Sequence, residues 1–437
     1  MIDHGKDLYR QYSNNITSFM IKVGIFGLGT VGQGFLKILR TNQYPIEIVG
    51  VVDRSYQKKS EILAGIPASD DPEFLLKNDD VDVIIELIGG VDTSLFIVRE
   101  ALDKGKNVIT ANKHLLAEHG YALFIKAKEN KVKIGFEAAV AGALPIIRNL
   151  ENIFLCEKIE LLEGILNGTT NYILTKMRLE KKDYGEVLTE AQKLGLAEAD
   201  PTLDVNGMDA VHKLSILGSL LSRKWIEYHN VYVKGIEDLR IADIEAAGKM
   251  GYRIRQLSRY HENNGDLQLT VEPTLIGPNH FLYNVELENN AIMFTGEFSG
   301  EHMLVGKGAG SLPTAFSVLS DAMHIVQGNY DPFQRDDFNW KYGHVQSVDN
   351  LSNAFYFRVV VMDKPGVMEI IGRILSENEI SIASVHQDAP PDESKGRNVD
   401  LIIVTHVCQR KPFLSAIEKI NSLPDIQGDA VFLPIDQ

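Results

Sequence analysis

Between Gly195 and Lys213 the chain reads GLAEADPTLDVNGMDAVHK, with Glu198, Asp200, Asp204 and Asp209 ahead of a lysine. Pro201 and the Asn206-Gly207 pair shape the first part as a loop. From Asp209 the pattern becomes helical, so Asp209 and Lys213, four apart, project from one face. A lysine and carboxylates brought together in this way can line a binding pocket. The plainer reading is a solvated acidic loop and a surface ion pair, which is worth little. Against it, Leu214–Ser222 (LSILGSLLS) carries no charge, so the helix should be buried and Lys213 should line a pocket. A divalent metal is a weaker reading of the carboxylates, because no EF-hand pattern or His/Asp pairing at ligand spacing accompanies them.

A second chemical signature is Gly27-Leu28-Gly29-Thr30-Val31-Gly32, set between a strand-like and a helical segment. Gly27 supplies a tight turn, Gly29 lets backbone approach a pyrophosphate, and Gly32 allows close helix–strand packing. The following helix start offers free N–H groups to phosphates. Asp53 lies 21 residues after Gly32 at the end of the next strand, where a carboxylate accepts ribose hydroxyls and favours NAD. Arg54 beside it can instead pair with a 2′-phosphate and favour NADP. The pair therefore leaves the cofactor open.

These residues need a scaffold. Ile21–Phe26, Ile46–Val52, Val81–Ile88, Asn107–Thr110 and Val132–Phe136 read as strands separated by helix-length crossovers, which predicts an α/β doubly wound parallel sheet over 20–136. Residues 137–335 mix strands (159–166, 267–275, 290–298) and helices (172–180, 184–194, 209–221) without alternation, as in an α+β substrate and dimerisation domain. The stretch Asp331–Asn350 is polar and aperiodic, and 336–350 is assigned as a linker. Residues 351–437 read βαββαβ, a ferredoxin-like unit. Residues 1–19 are expected to be a flexible extension.

The chain has 437 residues, enough for about three domains. Its net charge of −15 argues against nucleic-acid binding, which relies on cations at phosphates. No apolar run approaches the roughly 18 residues of a membrane span. Two cysteines, Cys156 and Cys408, make no disulfide framework, so a cytoplasmic setting is expected.

Taken together, the motifs resemble homoserine dehydrogenase. The resemblance rests on the 195–213 stretch, on Asn167-Gly-Thr-Thr-Asn-Tyr172, on Thr110-Ala-Asn-Lys113, and on Gly306-Lys-Gly-Ala-Gly310-Ser-Leu-Pro313-Thr-Ala315. Lys307 departs from the pattern, where proline is expected. The resemblance implies a Rossmann-type cofactor domain and NAD- or NADP-dependent interconversion of L-homoserine and L-aspartate 4-semialdehyde, on the route to threonine, isoleucine and methionine. It implies Lys213 as proton donor and acceptor, Asp209 as its orienting partner, and Lys113 beside nicotinamide and substrate. Glu198 would hold the substrate ammonium with Asp204 nearby, and Gly310 would lie at the cofactor. Asn167, Gly168 and Thr169 would bind the substrate carboxylate, although a helix cap explains the same residues. Glu137, Val140, Gly142 and Leu144 match a segment that binds a monovalent cation, usually sodium, through one carboxylate and backbone carbonyls.

At the C-terminal unit, Asp363-Lys-Pro365-Gly366 followed by Ile380 resembles an ACT domain. That implies an amino-acid effector, here threonine, and a homodimer or homotetramer; a pairing module that binds nothing is the alternative. The competing functions are another amino-acid dehydrogenase with the same cofactor domain, and a catalytically silent nucleotide- and amino-acid-binding regulator.

Overall fold

Six short segments, β1 (Ile21–Phe26), β2 (Ile46–Val52), β3 (Ala68–Ser69), β4 (Val83–Glu86), β5 (Asn107–Thr110) and β6 (Ile134–Gly135), pair in parallel in the order β3-β2-β1-β4-β5-β6. The computed structural model describes residues 20–327, 333, 338–387 and 398–436; the expected extension 1–19 lies outside the described residues. Val23, Ile25, Ile84 and Ile85 are fully buried, as strands covered by helices on both faces require. The covering helices include α1 (Thr30–Thr41), α2 (Asp92–Asp103) and α3 (Lys113–Glu129). Strand order reverses between β1 and β4, and that switch point opens a crevice at the strand carboxyl ends.

The middle region supplies α4 (Gly168–Glu180), α5 (Met208–Ser222), α6 (Ile241–Lys249) and α7 (Ser311–Val326). As the uncharged stretch implies, α5 is buried from Asp209 through Leu220. Helix α7 packs back on the cofactor domain. Its Ala315, Val318, Leu319 and Ala322 share a core with Ile21, Val23, Ile25 and Phe35, so the chain returns to the parallel sheet within the span assigned to 137–335.

The remaining strands are β7 (Ile159–Ile165), β8 (Tyr232–Val233), β9 (Arg253–Asn263), β10 (Asp266–Ile276), β11 (Asn289–Gly296), β12 (Gly300–Lys307), β13 (Ser352–Met362), β14 (Ile382–Gln387), β15 (Asn398–Thr405), β16 (Cys408–Gln409) and β17 (Ile426–Asp436). They form one mixed sheet, β12-β11-β7-β9-β10-β17-β13-β15-β14, with β8 beside β10 and β16 beside β13. With α8 (Val367–Glu377) and α9 (Arg410–Asn421), the last four strands of that path make the expected βαββαβ unit.

This unit does not hang from a free tether. Leu275 and Ile276 of β10 pair in parallel with Ile435 and Asp436 of β17, so the strands of this unit continue the sheet of the middle region. Buried ion pairs fasten the same boundary. Arg410 reaches both oxygens of Glu272, and Arg358 reaches both oxygens of Asp243 at 2.7 and 3.1 Å. Arg259 and His280 bridge Glu163 and Asp436, with His280 Nε2 3.3 and 3.2 Å from them.

The described part of the 331–350 stretch is packed rather than loose. The Phe333 ring lies 4.7 Å from that of Phe124 and 5.5 Å from that of Trp225, and Trp340 O accepts the Tyr121 hydroxyl at 2.9 Å. A few aromatic side chains, spaced without a period, hold the segment across the cofactor domain.

Candidate active site

Lys213 enters from the first turns of α5, and its ammonium is buried. It donates to Asp209 Oδ2 at 2.6 Å and to the Leu166 carbonyl at 2.7 Å. Gly207, at φ +88°, starts the helix, and Asp209 in the first turn sits at the positive end of its dipole. Lys113, the first residue of α3, reaches the other oxygen, Oδ1, at 3.1 Å. Asn112 sets that helix start by accepting the Leu115 N–H at 3.0 Å. One carboxylate therefore joins a lysine of the cofactor domain to a lysine of the substrate domain.

Burial opposes the charge on Asp209, but the two lysines prevail and hold its pKa far below the ordinary range. Lys113 is shifted upward by Asp209. Asp204 moves the other way: burial, then the neighbouring Asp209 charge, raise its pKa. A partly buried carboxylate in that position is ready for a cation.

Asn167 Nδ2 ties the two carboxylates together, donating to Asp204 at 2.8 Å and Asp209 at 2.9 Å. Its Oδ1 accepts Thr170 N–H at 2.8 Å and caps α4. The Thr169 hydroxyl is committed to Leu196 O at 2.8 Å, so the donors this helix start can offer a ligand are the backbone N–H groups at Gly168 and Thr169. Glu198 is exposed, yet close enough for its charge to act on Lys113. Asp200 is separate from the cluster and caps Thr202.

The glycine loop fits a dinucleotide. Gly27 has φ +95°, and a Cβ there would lie 2.6 Å from Leu87 O. A Cβ on Gly32 would lie 2.4 Å from Gly27 O, whereas Gly29 faces open space within 4 Å. That opening, beside the uncapped first turn of α1 at Thr30 and Val31, suits a pyrophosphate. Gly310 begins α7 against the same loop, where Ser311 Oγ donates to Thr30 O at 2.7 Å. Asp53 accepts Leu28 N–H at 2.8 Å, Ser55 N–H and hydroxyl, and the Lys59 ammonium. Despite partial burial, Lys59 and those donors bring its pKa down to about 2. Arg54 is exposed next to it.

In the expected cation segment, Glu137 is buried. Both of its carboxylate oxygens accept backbone N–H groups, from Ile147 at 2.9 Å and Arg148 at 3.0 Å. Burial raises its pKa to about 7. The side chain thus caps the next helical turn, and each oxygen keeps a further lone pair. Gly142 O accepts Ser317 Oγ and Leu144 O accepts Ile146 N–H, so the carbonyls there already hold one donor each. Val140, like them, is fully buried.

In the C-terminal unit, Asp363 Oδ1 accepts Gln387 Nε2 at 3.2 Å, Pro365 and Gly366 are exposed, and Gly366 begins α8 at φ +98°. Ile380 is a core residue.

Family models match on both sides of this site: homoserine dehydrogenase over residues 145–323, its NAD-binding domain over 27–137, and the ACT domain over 355–425. A homoserine dehydrogenase of Pseudomonas aeruginosa is 37% identical, with 95% of this chain and 99% of the relative aligned. The chain belongs to the homoserine dehydrogenase family. A crystal structure of a homoserine dehydrogenase from Thiobacillus denitrificans superposes with a TM-score of 0.87 at 36% identity, over 95% of this chain and 98% of that one. A hyperthermophilic archaeal homoserine dehydrogenase in complex with NADPH, 26% identical, gives 0.60 over 70% of this chain and 98% of its own. Membership makes the chain an oxidoreductase with a nicotinamide-cofactor domain and an ACT domain. Among the described residues no helix is long and apolar enough to cross a membrane.

Several features around the site carry no sequence signal. Lys59, six residues after Asp53, gave no motif signal. His114 and His212, each beside a site lysine, stack at 4.5 Å across α3 and α5. Glu86, at the end of β4, is fully buried and accepts the Thr110 hydroxyl at 2.6 Å. Each pairs residues far apart in sequence or outside any glycine pattern.

Proposed function

We propose that the chain interconverts L-homoserine and L-aspartate 4-semialdehyde, with Lys213 moving the proton at the reacting oxygen. The observation that carries this reading is the buried Lys213 ammonium, held between Asp209 and the Leu166 carbonyl at the junction of the two domains. Bound nicotinamide supplies or accepts hydride. In reduction, negative charge grows on the aldehyde oxygen; Lys213 stabilises it and then delivers a proton. In oxidation the neutral amine of Lys213 takes the hydroxyl proton, so alkaline pH favours that direction. Asp209 fixes both lysines, Asp204 and Glu198 attract the substrate ammonium, and the N–H groups at Gly168 and Thr169 face its carboxylate.

NADP is the preferred cofactor in this reading. Asp53 already holds Lys59, so a ribose 2′-hydroxyl competes for an occupied carboxylate, while Lys59 and Arg54 offer cations to a 2′-phosphate. Threonine at the Asp363–Gly366 loop would provide feedback on the branch toward threonine, isoleucine and methionine. Exposed Ile153, Leu155, Phe298 and Val305 favour a homodimer or homotetramer. A monovalent cation at 137–144 would be held by Glu137 and the carbonyls of Val140, Gly142 and Leu144, and no step passes through it.

The test is cofactor reduction with L-homoserine at alkaline pH, with NADP and NAD in parallel and with threonine added in one arm. NADP should give the higher kcat/KM, and Lys59→Ala should lower it about tenfold for NADP but not for NAD. Cofactor binding without turnover would return the choice to another amino-acid dehydrogenase or a silent binder.

A further inference from the structure

We propose that Asn290 is a positioning residue for Lys213, acting through the Leu166 carbonyl that the two side chains share. The inference rests on reading Lys213 as the proton donor. Leu166 O lies 2.7 Å from Lys213 Nζ and 2.9 Å from Asn290 Nδ2, so both of its lone pairs are engaged. Asn290 stands on β11, buried, in the strand next to β7, which leads to Leu166.

Its orientation is fixed from three sides. Donation to Leu166 sends Oδ1 the other way, where it is buried with no hydrogen-bond partner. A Cβ on Gly168 would come within 3.4 Å of that oxygen, and a Cβ on Gly308 would fall 2.1 Å from Cγ. Two glycine backbones therefore make room for an amide at this position. An unpaired buried acceptor is unfavourable, and an apolar side chain of similar size would avoid it. What the amide contributes is its donor on Leu166.

The consequence for Lys213 is geometric. Of its three N–H bonds, one points to Asp209 and one to Leu166; with two directions set, the third is set as well. That third direction carries the proton to the aldehyde oxygen, and in the neutral amine it is where the lone pair meets the substrate hydroxyl. Without Asn290 the carbonyl is freer to turn.

The test compares Asn290→Ala and Asn290→Asp with the full-length parent protein. For Asn290→Ala, kcat should fall about tenfold, KM for homoserine should change less than about threefold, and cofactor Kd should hold. Asn290→Asp keeps the size; its protonated carboxyl can donate to Leu166, so aldehyde reduction should stay near the parent rate at low pH and fall as that carboxyl ionises, with Tm followed at each pH. A kcat for Asn290→Ala that holds, or that falls only in step with the folded fraction, overturns the inference, as does a pH profile for Asn290→Asp that matches the parent's. Lys213→Ala separates the two claims: turnover surviving there overturns the proton-donor reading itself. An inactive Lys213→Ala alongside parent-like Asn290 variants overturns the Asn290 inference alone.

Discussion

Two regions of this molecule bury charge, and they do it with different cations. At the cofactor–substrate junction, Lys113 and Lys213 share Asp209. At the boundary with the ACT unit, arginines take that role: Arg358 on Asp243, Arg410 on Glu272, and Arg259 on Glu163 and Asp436. Arginine stays charged and grips a carboxylate with a planar fork, whereas lysine can release its proton. On the proposed reading the first junction passes a proton, whereas the second holds an orientation.

The largest effect separating the two should come from Lys213→Ala. Turnover is expected to drop about a thousandfold, within the range for loss of a general acid–base group, with cofactor binding retained. Steady-state rates and cofactor titration measure both. Arg358→Ala should do the reverse, leaving Asp243 buried without its partner and costing about 3–5 kcal/mol of stability by urea unfolding. If it instead abolished turnover at unchanged stability, the contrast between the regions would fail.

The smallest effect is a dependence on pH. Burial opposes a charge on His280, but Asp436 and Glu163 prevail and raise its pKa to about 9. A raised pKa means that the stabilisation is complete below the unfolded value near 6.5 and is lost as pH climbs through about 9. Between pH 7 and 10 the parent should therefore lose more stability than His280→Asn, by at most about 3 kcal/mol. Parallel curves for the two proteins would remove His280 from the account of this boundary.

The parallel sheet, the buried α5 and the βαββαβ order were all legible, because each has a strong period or a glycine signature. β9 was not. Its Arg255, Gln256, Ser258 and Arg259 look like solvent-facing residues, yet Arg255, Gln256 and Ser258 are buried and Arg259 is paired by partners far along the chain. The return of α7 to the cofactor domain was hidden for a similar reason: an apolar helix face does not state which sheet it will cover. In the site, spacing brought out Lys213 and Asp209 because they lie one helical turn apart. Lys113 came from the family motif, and Asn290 from neither, since its only link to Lys213 is a backbone carbonyl from a third segment.

The shared strand pairing of β10 with β17 bears on any attempt to exchange regulatory modules among relatives. A chimera cut within 336–350 would inherit one half of each boundary: carboxylates at Glu272, Asp243 and Glu163 from one parent, and the cations meant for Glu272 and Asp243 from the other. A graft should therefore be planned as a matched surface, with β10, α6 and β17 chosen together. The natural unit of exchange here is an interface, not a length of chain.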